Sequence, residues 1–118
     1  MAVVAFALPI LPGQGDNARR LGEKASGSGP LREAYEASRQ NLGITEEKVC
    51  LQETPTGEVL VIYWETDDPQ RTLREIANAQ DQFDYQFRKF IESTAPALDL
   101  SEEQPLSNEL LFEWAASD

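Results

Sequence analysis

The chain has 118 residues, 41% of them hydrophobic, with ten Lys and Arg against 21 Asp and Glu, for a net charge of −11. One domain with one core is the size this allows, and so few cations disfavour nucleic acid and anionic membrane as partners, because binding phosphates needs a clustered basic surface. Histidine is absent, which removes the imidazole that a catalytic triad, a haem axial ligand or a typical zinc site draws on.

The apolar opening, Ala2 to Ile10, has no Lys or Arg before it and is interrupted by Pro9 and Pro12, so it reads as a strand and not as a signal peptide. A soluble, cytoplasmic protein is the expectation. Val4, Phe6 and Leu8 share one side of this strand, while the small Ala5 and Ala7 lie on the other, where a helix could approach closely.

Ala18, Leu21 and Ala25 at three- and four-residue spacing predict a short helix over Asn17 to Lys24, broken by Gly27-Ser28-Gly29. Pro30 opens a second helix at its first turn, with Leu31, Ala34, Tyr35, Ser38 and Leu42 on one face and Gly43 at its end. A turn at Thr45-Glu46-Glu47 leads into a strand over Lys48 to Thr54, and Pro55-Thr56-Gly57 returns the chain into Val59 to Trp64. This second run is six apolar residues rich in β-branched and aromatic types, as a central strand covered on both faces would be.

If Thr54 pairs with Glu58, then Val49, Leu51, Val59, Val61 and Tyr63 share the helix-covered face. Lys48, Cys50, Gln52, Leu60, Ile62 and Trp64 would share the other, with Cys50 a small buried thiol. Asp68-Pro69 is a capped helix start, and Leu73, Ile76 and Ala77 make the buried stripe that follows. Asp81 starts another helix carrying Phe83, Phe87, Phe90 and Ile91, which Thr94-Ala95-Pro96 stops. A loop through Asp99, Glu102, Glu103 and Pro105 precedes Glu109 to Trp114, whose alternation predicts a fourth strand.

Strand, helices, strand, strand, helices, strand is the βαββαβ order. It predicts an α+β, ferredoxin-like domain over residues 1–118, with a four-stranded antiparallel sheet and helices on one face. Phe6-Ala7-Leu8-Pro9-Ile10-Leu11-Pro12-Gly13, Leu42-Gly43-Ile44-Thr45, Leu51-Gln52-Glu53-Thr54-Pro55 and Phe112-Glu113-Trp114 carry a resemblance. The chain resembles a family of uncharacterised small bacterial proteins that is similar to the dimeric α+β barrel superfamily. That resemblance implies two sheets packed face to face. The face bearing Leu60, Ile62 and Trp64 is therefore the expected homodimer surface.

Chemistry-bearing residues are few. Asp67-Asp68 and the pair Asp81 and Asp84 could serve Mg²⁺ or Ca²⁺, but both coincide with helix starts and capping explains them, so no metal site is assigned. No haem, flavin or other cofactor is expected. Tyr35, Gln52, Tyr63 and Trp64 are the candidate ligand-binding residues, since a specific pocket needs a few fixed polar groups among apolar walls. The expected function is binding of a small apolar or aromatic molecule by a homodimer. A cofactor-free monooxygenase or isomerase, with Glu53 or Glu113 handling a proton, and a structural dimerisation module are the alternatives.

Overall fold

The computed structural model describes residues 2–100 and 108–116. Three strands and four helices follow one another as β1 (Ala2–Pro9), α1 (Gly15–Ser26), α2 (Pro30–Asn41), β2 (Ile44–Thr54), β3 (Gly57–Thr66), α3 (Pro69–Asn78) and α4 (Gln82–Thr94). The sheet is antiparallel in the order β1-β3-β2. It is α+β, but the expected four-stranded ferredoxin-like sheet is not what forms. Glu109 to Trp114 makes no strand; Leu110, Leu111, Phe112 and Trp114 are 71%, 79%, 88% and 84% exposed. Just ahead of this segment, the Asn108 side chain accepts from Ala5 N–H at 2.9 Å and donates to Ala5 C=O at 3.0 Å. Alternation supplies a strand-like pattern but no ladder. The loop read through Glu102, Glu103 and Pro105 lies outside the described residues.

The helix starts follow local chemistry. Asp68 accepts from Arg71 N–H at 3.1 Å ahead of Pro69, and Asp81 accepts from Asp84 N–H at 3.2 Å. These caps satisfy amides that no helical carbonyl can reach. Gly29, at φ +118°, precedes Pro30, and Gly43, at φ +74°, turns the chain from α2 into β2.

The hairpin decides which way the sheet faces. Thr54 pairs with Gly57 and Glu53 with Glu58, so the loop is the two residues Pro55-Thr56. The Thr54 hydroxyl donates to Gly57 C=O at 2.7 Å and accepts from Thr56 N–H at 3.3 Å. The expected pairing of Thr54 with Glu58 is thus off by one, and a slip of one residue exchanges the two faces of a strand relative to its partner. Leu60, Ile62 and Trp64 lie beside Val4, Phe6 and Leu8, and all six are buried under Leu73, Ile76, Phe83, Phe87 and Ile91. They are the core and not the free surface that the expected homodimer face required. Val59, Val61 and Tyr63 point the other way and are half-buried, so the central strand is covered by helices on one face. Cys50 belongs to that outer face, paired with Val61, and is exposed where a buried thiol was expected.

Candidate functional site

Glu47 is an inward-facing residue of β2, opposite Trp64. A carboxylate on an otherwise apolar side must be paired if the sheet is to be covered, and α2 supplies the partners. Tyr35, Ser38 and Arg39 stand three and four residues apart on one helical face. Arg39 donates to Glu47 through Nε at 2.8 Å and Nη2 at 3.0 Å, a bidentate pair whose side chains are 7% and 3% exposed. Tyr35 Oη donates to Glu47 at 2.7 Å and Trp64 Nε1 at 2.5 Å. The remaining face of the guanidinium meets α4. Nη1 donates to Ser38 Oγ at 3.0 Å and to Asp84 Oδ1 at 3.2 Å, while Ser38 donates to Asp84 at 2.7 Å. Tyr35, Phe83 and Phe87 surround the cation with ring centroids 5.2, 5.1 and 5.0 Å away.

The titration of these groups follows from their neighbours. Burial pushes the Tyr35 phenol up to about 12, reinforced by the Glu47 charge and hydrogen bond. Burial would also push Glu47 up, but the hydrogen bonds and charge of Arg39 outweigh it and hold the carboxyl below its usual range. Arg39 stays raised, because Glu47 and Asp84 overcome the effect of burial. Asp84 is the exception. Burial and the hydrogen bond with Asp81 push it up to about 6, against Ser38 and Arg39.

A cavity of about 440 Å³ opens above this network, between α1, α2, α4 and the β2 side of the sheet. Phe83, Phe87, Phe90, Leu51 and Leu60 form its apolar walls, Tyr35, Arg39 and Glu47 its polar ones, and Arg19 and Arg32 also line it. Val49 shows why it is open: the side chain lies on the helix side, beside Ile62, yet is 48% exposed. The helices pack over β1 and β3 and leave part of edge strand β2 uncovered.

Of the four candidate residues, Tyr35 lines the cavity. Trp64 is fully buried beneath it and reaches it through Glu47. Gln52 is exposed, and Tyr63, bonded to Glu65 at 2.9 Å, lies with it on the outer face; neither lines the cavity. Sequence reasoning misses Arg39 and Glu47, and weighs Asp84 only as a metal-ligand candidate explained by helix capping. Their signal is present in the sequence, since Glu47 continues the two-residue period of Val49 and Leu51, but it is visible only once the strand begins at Ile44 rather than Lys48. Among the described residues no cluster of His, Cys, Asp or Glu could hold a metal ion, and no helix is long and apolar enough to cross a membrane. Compared with known families and curated proteins, the chain matches no family model and no curated protein.

Proposed function

We propose that the protein binds a small apolar or aromatic molecule in the cavity between α1, α2, α4 and β2. The cavity itself carries this reading. Its volume of about 440 Å³ is within the range of small-molecule sites, and it sets three phenyl rings beside a fixed polar floor. The floor is rigid because Glu47 accepts four hydrogen bonds. Binding fits these groups better than proton transfer. Tyr35 at about 12 and a depressed Glu47 are both poorly matched to acid–base work near neutral pH, and Glu53 and Glu113 are exposed. The test uses Trp64, whose indole is bonded to the cavity wall, as the fluorophore in a Trp114→Phe background. A library of apolar and aromatic compounds should contain saturable binders, and Gly22→Leu should abolish their binding. Gly22 lines the cavity and a Cβ there meets nothing within 4 Å, so a side chain at this position starts into open space. Library-wide silence, or binders indifferent to Gly22→Leu, refutes the assignment.

A homodimer is the second reading, through the outer face of the sheet. Supporting it are Val3, 45% exposed, the half-buried Val59 and Val61 further along the same outer face, and the exposed Leu110, Leu111, Phe112 and Trp114. Light scattering at micromolar concentration should give twice the chain mass and Val61→Asp half of that; a wild-type monomer refutes it.

A further inference from the structure

The charges on the cavity wall run against those of the chain. The chain as a whole carries −11, yet Arg19, Arg32 and Arg39 line the cavity against the single acid Glu47. These three cations are not equally occupied. Four of the five N–H groups of Arg39 are taken by Glu47, Ser38 and Asp84. Arg19 divides its two terminal nitrogens between Asp16 at 3.0 Å and Glu58 at 3.3 Å. Arg32 donates through Nε to Glu36 at 2.8 Å and through Nη1 to the Ala25 carbonyl at 3.0 Å. Its Nη2 has no hydrogen-bond partner among the described residues.

Arg32 is also held in place. Its guanidinium lies 5.5 Å from the centroid of the Tyr35 ring, the same ring that Arg39 meets at 5.2 Å. The Ala25 carbonyl fixes its other end against the last turn of α1. The side chain is 40% exposed, so the cation stands where the cavity meets water. A neutral apolar guest gains nothing from it. An anionic group at the end of such a guest would take the vacant N–H donors of Nη2 while remaining hydrated on its outer side. One guanidinium with one vacant arm, set beside Glu36 in a strongly acidic protein, matches a single negative charge better than a doubly charged phosphate.

On the reading that this cavity binds an apolar small molecule, we propose that its ligand is a monocarboxylic acid. The carboxylate sits at the mouth on Arg32 and the apolar body lies against Phe83, Phe87 and Phe90. The probes are decanoate and decanol, titrated at pH 7.5 into the full chain carrying Trp114→Phe and followed by Trp64 fluorescence. Decanoate should bind about tenfold more tightly than decanol, the scale of one charge-assisted hydrogen bond at a half-exposed site. Arg32→Gln should erase that preference by weakening decanoate alone. Arg20→Gln, on the same helix as Arg19 but outside the cavity lining, should leave both affinities unchanged. Equal binding of the two probes, or a decanoate preference that survives Arg32→Gln, overturns the carboxylate assignment and leaves the cavity reading standing. Failure of both probes to bind overturns the carboxylate assignment too, while the cavity reading falls only with silence across the whole library.

Discussion

Replacing Arg39 by Met tests the buried network most directly. Methionine keeps much of the packing against Phe83 and Phe87 but leaves Glu47 and Asp84, with side chains 3% and 2% exposed, without their cation. Removing one partner of a buried pair costs about 3–5 kcal/mol, because the stranded charge is desolvated with nothing opposite. At about 2.1 cal/mol/K per residue, the unfolding entropy of a chain this long turns that loss into a fall in Tm of roughly 12–20 °C. The loss should also depend on pH. In the wild type the Glu47 pKa is depressed, so it contributes stability above its unfolded pKa that disappears as pH falls through the folded one. Without Arg39, burial is opposed only by the Tyr35 and Trp64 hydrogen bonds, so the Glu47 pKa rises from its wild-type position and protonation stabilises the variant relative to its state at neutral pH. Urea melts from pH 7 down to pH 4 should therefore show the gap between the two proteins closing. Adding Glu47→Gln, which removes the charge but keeps an acceptor for Tyr35 and Trp64, should restore about 2 kcal/mol at pH 7. A loss under about 1 kcal/mol that does not vary with pH would refute the account of Arg39 as the counter-ion of a buried carboxylate.

Other expectations follow from single groups. Asp84 is raised to about 6 in the folded protein, so it contributes stability that is fully present below its unfolded pKa and lost as pH rises toward 6. Asp84→Asn should remove a decline worth at most about 3 kcal/mol, measured as the difference between variant and wild-type melts from pH 3 to pH 7. Among the described residues the buried Thr94 hydroxyl has no hydrogen-bond partner. Thr94→Val keeps the shape, removes that unsatisfied group and should raise stability by about 1 kcal/mol in chemical denaturation. Gly22→Leu, besides blocking the cavity, should stabilise α1 by close to 1 kcal/mol, since glycine is a poor helix former and its position is unobstructed.

Short-range chemistry was legible from the residues themselves. Asp68-Pro69, Asp81, Pro30 and Gly43 announce the ends of helices because caps and left-handed turns act over three or four residues. The strand composition of Ala2 to Ile10 and Val59 to Trp64 identifies two elements of the sheet, and Tyr35 emerges as a cavity residue from its place on the apolar face of α2. What faces what was decided elsewhere. One residue of register in the Pro55-Thr56 hairpin put Leu60, Ile62 and Trp64 under the helices and sent Gln52 and Tyr63 to the opposite side. Side-chain period in a strand is two, so composition alone leaves the parity open until the turn closes. The alternation of Glu109 to Trp114 resembles a strand, but a strand exists only where it joins a ladder of backbone bonds, and what bonds Ala5 here is the side chain of Asn108, not a backbone ladder from this segment. Glu47 is the clearest case. Its neighbours in sequence make it a turn residue, and only the approach of α2 and α4 turns it into the acceptor of four hydrogen bonds at the floor of a cavity. Contacts between residues far apart in the chain depend on how whole elements pack, and no local preference encodes that.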